Sequence, residues 1–250
     1  MQLIRVYCGS WLLCLVAITS LVLLLSLGTW QLGRAVEKEE LLADQKSKSE
    51  QSVVVLSTLL NDGRPIDDYR YRDVQVSGKY DSSHQFLLDN QVKNRRVGYN
   101  VITPLYTEAG EIVLVDRGWV PMGLSRQLTP NVALDDEALM RVVEGSLYTP
   151  LGEAYSLGAM DDGEITWPRV IQFLDFEAMS NRVGGDVLPL VVRLSPAMDD
   201  GFLREWPIVA AGPEKHLGYA FQWFMMAFVL ATLLIVLSRR RLNNDDNTGG

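Results

Sequence analysis

Residues 6–33 read VYCGSWLLCLVAITSLVLLLSLGTWQLG, 28 consecutive positions without one charged side chain, bounded by Arg5 and Arg34. A helix needs about 20 mainly apolar residues to cross a hydrocarbon core about 30 Å thick, and this run is long enough. Residues 216–238, between Lys215 and Arg239, form a second uncharged stretch of 23, polar only at His216, Gln222 and a few hydroxyls. Two transmembrane α-helices therefore set the fold, with everything else between them. A soluble cytosolic protein is excluded.

The expected organisation is an N-terminus at 1–5, a first helix at 6–33, a domain at 34–215, a second helix at 216–238 and a tail at 239–250. The domain holds 19 Lys and Arg against 29 Asp and Glu, a net charge of −10 over 182 residues. That is enough chain for one core. Its sign disfavours nucleic acid, whose phosphates attract basic surfaces, and adhesion to anionic lipid away from the anchors. No nucleic-acid partner is expected, and the lipid bilayer is. The only cysteines, Cys8 and Cys14, lie in the first span. There is no Cys-x-x-Cys-His haem attachment sequence and no paired-cysteine copper or zinc motif.

Ser26-Leu27-Gly28 loosely fits a signal-peptide cleavage site, but Val6–Leu27 is 22 residues long. Signal-peptide cores run to roughly 7–15 residues, so a retained anchor is favoured. Arg239, Arg240 and Arg241 follow the second span at once, against Lys215 and the more distant Arg204 before it. By the positive-inside rule the C-terminus is cytoplasmic. Arg34 and Lys38 after the first span point weakly the other way. Two spans put both ends on one side, and long loops translocate largely regardless of charge. Both termini are expected in the cytoplasm and the domain outside it.

From Arg34 to Gln51 acids and bases alternate, a charged helix prolonging the first span. After Gly63-Arg64-Pro65 the period changes to two, with Val74, Val76 and Tyr80 alternating with polar residues. Further strands are expected at Gln85–Leu88, Tyr99–Leu105, Ile112–Val120, Met140–Tyr148, Val187–Leu194 and Arg204–Val209. Turns are expected at Asp89-Asn90, Glu108-Ala109-Gly110, Thr149-Pro150 and Gly184-Gly185. One helix is expected from Phe176 to Val183, with Asp175 as N-cap and Gly184 just past its end. The fold class is a mainly antiparallel β (α+β) extracytoplasmic domain, sandwich or barrel-like, flanked by two transmembrane helices. The tail Asn243–Gly250 is polar and Gly-ended and is expected to be disordered.

The chain has two histidines. His84 has no second His or Cys near it and reads as an exposed or hydrogen-bonded surface residue. His216 stands at the mouth of the second span, and on a helix it shares one face with Tyr219, Ala220, Trp223 and Ala227. An imidazole beside aromatics suits an axial ligand and flat walls for a macrocycle. The same pattern also suits an interfacial aromatic belt. The first span ends in Trp30, Gln31 and Arg34, where an arginine can pair with a propionate or with lipid phosphate. Within the domain, Asp116-Arg117 interrupts an apolar strand before Gly118 and Trp119. A structural ion pair, a bulge at Gly118 and a core Trp119 are expected, with partner binding through Arg117 and Trp119 the functional alternative. No nucleophile elbow, His-Glu-x-x-His, phosphate loop or dinucleotide fingerprint is present, and the chain is not expected to be an enzyme. Met225-Met226 lies in the second span and reads as packing rather than a copper site.

Taken together, five blocks in order resemble the Surfeit-locus-1 family of cytochrome c oxidase assembly proteins. They are Gly28-Thr29-Trp30-Gln31 with Arg34 and Lys38; Tyr71-Arg72-Asp73-Val74 leading to Gly78-Lys79-Tyr80; and Leu87-Leu88-Asp89-Asn90 with Gly98-Tyr99 and Thr103-Pro104. Arg117-Gly118-Trp119-Val120-Pro121 follows, then Pro213-Glu214-Lys215-His216-Leu217-Gly218-Tyr219-Ala220-Phe221-Gln222-Trp223, the strongest piece. Asn131–Asp186 matches less clearly. The resemblance implies a multi-pass protein of the bacterial cytoplasmic (inner) membrane with a periplasmic domain. It implies transient, non-covalent binding of haem a and its insertion into the largest subunit of cytochrome c oxidase, with the haem a synthesis machinery a possible further partner. Carried over by motif, His216 is the expected axial ligand to haem iron; the helix faces read above add Tyr219, Trp223, Trp30 and Arg34 around the macrocycle. The alternative is a protein-binding assembly factor that stabilises the immature subunit without touching haem.

Overall fold

The computed structural model describes residues 2–123, 128–134, 139–150, 166–199, 201–206 and 212–248. In chain order the elements are α1 (Gln2–Ser49), β1 (Val54–Val55), α2 (Leu56–Leu60), a 3-10 turn (Ile66–Tyr69), β2 (Asp73–Tyr80), β3 (Phe86–Lys93), β4 (Arg96–Thr107), β5 (Ile112–Pro121), β6 (Arg141–Tyr148), β7 (Arg169–Ile171), α3 (Phe176–Val183), β8 (Val187–Leu194) and α4 (Pro213–Thr248). They fall into two compact units, one made of Met1–Ala43 with Ile208–Gly250 and the other of Asp44–Pro207.

The first unit is a helix pair. Both helices are long and apolar enough to cross a membrane, over Trp11–Ser49 and Pro213–Leu237. Trp11, Leu13, Phe221 and Phe228 are each more than half exposed, apolar surface that lipid rather than water suits. Hydroxyls within these stretches turn back onto their own helix. Thr19 Oγ1 donates to the Leu15 carbonyl at 2.7 Å, Ser20 Oγ to Val16 at 2.8 Å and Thr232 Oγ1 to Phe228 at 2.8 Å. Such internal satisfaction is what a medium without water demands. Beyond Arg34 the first helix continues on charge pairs, including Lys48 Nζ to Asp44 at 2.9 Å, and it ends at Ser49. The second begins with Pro213 in its first turn, where the missing N–H costs nothing.

The second unit is a β-barrel with extra strands. β2, β6, β8, β5 and β4 form a ring closed by β2 against β4, from Gly78 opposite Thr107 to Tyr80 opposite Leu105. Four of the five pairings are antiparallel; β5 and β8 run parallel. β3 and then β7 extend the sheet from β4, and β1 extends it from β2. Val74, Val76 and Tyr80 of β2, with Val143 and Leu147 of β6 and Val192 and Leu194 of β8, turn inward as their period-two spacing requires. Leu56, Leu59 and Tyr69 pack on the same core. Ile112–Val120 is buried without a break. Val113 and Val115 face the barrel interior, whereas Ile112 and Leu114 face a second core with Phe86, Ile102, Met179 of α3 and Val191. A strand covered on both faces reads as a continuous apolar run.

The expected helix appears at the expected residues, with Asp175 accepting from Ala178 N at 3.0 Å and Gly184 in the left-handed conformation at φ 76°. Three local expectations are corrected, the first being the tail, where α4 continues as helix through Thr248. Asp89-Asn90 is not a turn but the middle of β3, where the register slips between Leu88 and Gln91 and Asn90 takes φ 59°. The reversal comes later, at Asn94-Arg95 (φ 51° and 61°), a two-residue loop whose paired positive angles match the twist of the flanking strands. Residues 204–206 form no strand; only Leu203 bridges, to Trp119, and 207–209 lie outside the described residues. Strands β1 and β7 are too short to give a periodic signal in the sequence.

Candidate functional site

His216 opens onto the face of the second helix that meets the first. Its Nδ1 lies 2.8 Å from Gln31 Oε1. Two turns further on, Phe224 covers Gly28, where an added Cβ would sit 2.6 Å from the ring. As positions advance along one helix they fall along the other, so the two run antiparallel. Ala220 and Ala227, on the same stripe, are 2% and 3% exposed. The stripe expected to form one binding wall therefore divides. His216, Ala220, Phe224 and Ala227 serve the helix pair, while Tyr219 is 51% exposed and looks outward. Trp223 is half-buried, and Trp30, beside Gln31, is 56% exposed. Arg34 Nη1 donates to Glu37 Oε2 at 2.5 Å, one turn along its own helix.

The Gln31 contact decides what His216 can do. An amide oxygen only accepts, so Nδ1 donates in this contact, and in the neutral ring Nε2 then keeps its lone pair. A neutral imidazole held this way by a carbonyl partner has the arrangement of an oriented metal ligand. The donor set fits a single axial bond to a haem iron. Exposed Trp30 and Tyr219 supply apolar aromatic surface close by in sequence on each helix. Gln31 was visible in the sequence only as one member of a polar cluster. Its link to His216 spans 185 positions, and no local pattern encodes it.

The domain residues behave differently. Asp116 and Arg117 do not form the expected ion pair, because neighbours on a strand point to opposite faces. Asp116, 4% exposed, accepts from Asn100 Nδ2 at 2.8 Å and from Gly118 N at 3.1 Å. Burial pushes its carboxyl up to about 6, against the pull of the Gly118 and Asn100 hydrogen bonds and of Arg193 and Lys93. Arg117, also 4% exposed, donates from Nη1 to Gln85 Oε1 at 3.2 Å and the Val132 carbonyl at 3.1 Å, and lies 5.0 Å from the Phe202 ring centre. The bulge anticipated at Gly118 is present. Asp116 pairs with Ile102 and Trp119 with Asn100, so three steps on β5 match two on β4. Gly118 has φ 112°, and a Cβ there would meet the Leu203 carbonyl at 2.9 Å. Trp119 is a core residue whose Nε1 donates to the Gln91 carbonyl at 2.9 Å. Arg117 and Trp119 thus fix the ends of β3, β5 and the Leu203 segment from inside, rather than presenting surface.

His84 is the hydrogen-bonded residue the sequence suggested. Its Nδ1 is 2.6 Å from Asp81 Oδ2, and its ring meets Trp167 edge-on at 4.9 Å.

A family model described as the SURF1 family matches residues 18–228. The chain belongs to the SURF1 family. The matched range takes in both Gln31 and His216, so the contact that orients the imidazole lies inside the family's extent. A SURF1-like protein of Rickettsia conorii is 26% identical over 233 residues, covering 89% of this chain and 90% of the relative. A SURF1-like protein of Dictyostelium discoideum is 30% identical over 249 residues, covering 82% and 88%. The protein of Saccharomyces cerevisiae named cytochrome oxidase assembly protein SHY1 is 30% identical over 95 residues, 38% of this chain and 24% of its own length.

Proposed function

We propose that this SURF1-family chain is a membrane-anchored assembly factor for haem-copper cytochrome c oxidase. It carries haem a on His216 and assists its insertion into the largest oxidase subunit, from the outer face of a bacterial cytoplasmic membrane. Family membership and the name of the yeast relative support the assembly role. The observation that carries the haem reading is the 2.8 Å contact of His216 Nδ1 with Gln31 Oε1, which in the neutral ring leaves the Nε2 lone pair for a ligand at the end of an apolar span. In this reading haem is cargo. His216 supplies one axial nitrogen, Gln31 holds the ring's tautomer and aim, and Trp30, Tyr219 and Trp223 cover the macrocycle. A carrier with a single axial ligand can release what it holds, as a donor must.

The test is the visible spectrum of the full chain, purified in detergent after co-expression with haem a synthesis, beside its His216→Ala variant. A haem a band in the first and none in the second is expected. A band unchanged by the substitution refutes His216 as the ligand. No band in either, with binding to the oxidase subunit retained, replaces the carrier with a factor that grips only protein.

A further inference from the structure

One cleft in the Asp44–Pro207 unit has no part in the haem reading. Lys93 and Asn94 at the end of the β3–β4 hairpin, Asn100 of β4, Arg193 of β8 and Glu205-Trp206 line it, around a volume of about 570 Å³. Its cations are unusually placed for so acidic a domain. Among the described residues neither Lys93 nor Arg193 forms an ion pair with a carboxylate. They lean instead on aromatic rings. The Arg193 guanidinium lies 3.7 Å from the Tyr148 ring centre and 5.5 Å from that of Trp206, and Lys93 Nζ lies 5.3 Å from Trp206 on a hydrogen bond to the Glu205 carbonyl. Trp206 is held in turn by donation from Nε1 to the Leu194 carbonyl at 3.1 Å. Desolvation pushes the Lys93 ammonium below the usual lysine range, a sign that water does not fully serve that charge.

The floor adds a second, independent sign. Asn100 is 7% exposed and spends its Nδ2 on Asp116, and its Oδ1 is buried with no donor. Arg193 Nε is likewise buried without an acceptor. Buried polar atoms are nearly always paired, so an orphan acceptor beside two cations that make no ion pair describes a complementary ligand. That ligand carries one negative group, an N–H donor next to it, and an apolar portion to lie against Trp206. A phosphate dianion lacks the donor and brings a second charge toward Glu205 and Asp116. A carboxylate close to a peptide N–H supplies all three features.

We propose that this cleft binds an acidic segment of a partner polypeptide, with an Asp or Glu carboxylate between Lys93 and Arg193 and a neighbouring backbone N–H turned to Asn100 Oδ1. The proposal rests on barrel residues alone, and its test involves neither haem nor the oxidase.

The full chain in detergent is titrated calorimetrically with acetyl-Glu-Asp-Glu-amide, with acetyl-Gln-Asn-Gln-amide and with inorganic phosphate. Saturable binding of the acidic peptide is expected, with about tenfold weaker binding of the neutral one and a marked loss of affinity on raising salt. Lys93→Met keeps the aliphatic stem and should cost about tenfold in affinity with the melting temperature unchanged. Arg193→Lys keeps the charge but loses the planar fork, and should weaken binding by a smaller factor. Equal binding of both peptides, no saturable binding of either, or an unaltered affinity in Lys93→Met overturns the proposal. Phosphate binding more tightly than the acidic peptide overturns it in favour of a phosphate site.

Discussion

Replacing Asp116 with Asn should make the barrel more stable at neutral pH, against the usual cost of altering a buried polar residue. The carboxyl's folded value of about 6, set chiefly by burial, stands some two units above the ordinary aspartate value of 3.8. At roughly 1.4 kcal/mol per unit the ionised form is disfavoured in the fold by about 3 kcal/mol. The sign follows from proton counting. Between the two values the folded state holds more protons than the unfolded one, so the stabilisation from the neutral carboxyl is complete below about 3.8 and lost as pH rises through about 6. Asparagine has no charge to desolvate. Its Oδ1 can still accept from Gly118 N, and its Nδ2 finds an acceptor if Asn100 turns its amide over and offers the oxygen that now has no donor. The gain expected at pH 7.5 is about 1–3 kcal/mol, or a rise in melting temperature of roughly 3–10 °C for a domain of this size. Denaturant unfolding of the full chain in detergent, followed by tryptophan fluorescence from pH 4 to pH 8, measures it. The wild-type curve should fall between pH 4 and pH 6, and the variant's should fall less there by about 3 kcal/mol, keeping only the smaller slope from groups such as Asp73, whose carboxyl burial also raises. A variant less stable than wild type at pH 7.5, or one that keeps the wild-type slope, refutes the reasoning.

Three further outcomes follow from other residues. Gly118→Ala places a Cβ 2.9 Å from the Leu203 carbonyl at a φ of 112°, and should cost about 2 kcal/mol or more in the same unfolding assay. Asp175→Ala removes the cap on Ala178 N and should cost about 1 kcal/mol; faster amide exchange in the first turn of α3 reports it directly. Gln31→Leu removes the acceptor from His216 Nδ1 and should lower haem affinity in a spectrophotometric titration by roughly 10- to 100-fold, while Gln31→Glu, which keeps an acceptor, should retain binding.

Much of this architecture is written in runs and periods. The 28- and 23-residue uncharged stretches declare the helices because no other environment suits them. The unbroken apolar run at Ile112–Val115 reflects a strand with a core on each face, and Asp175 with Gly184 brackets α3 by local chemistry alone. What stayed hidden depends on partners distant in the chain or on backbone angles. Asn90 has the residue type and positive φ of a turn but uses them for a bulge inside β3, whereas Asn94-Arg95 makes the real turn without a glycine to announce it. Asp116 and Arg117 look like a pair because they are adjacent, and the pleat that separates them is a property of the strand, not of the two residues. The stripe through His216 was legible as a helical face. Which part of it would be consumed by the neighbouring helix depended on Gly28 and Gln31, nearly two hundred positions away.

The sheet ends in very small pieces. Its outermost strands are Val54–Val55 and Arg169–Ile171, two and three residues long, and every longer strand is flanked on both sides for at least part of its length. An open strand edge invites any passing extended chain to add itself as the next strand. In the assembly role proposed above, a factor that meets partly folded chains would face that hazard continually. Each outermost strand offers such a chain only two or three residues to zip onto, which leaves the stretch of β3 that β7 does not cover, Asp89–Lys93, as the longer border.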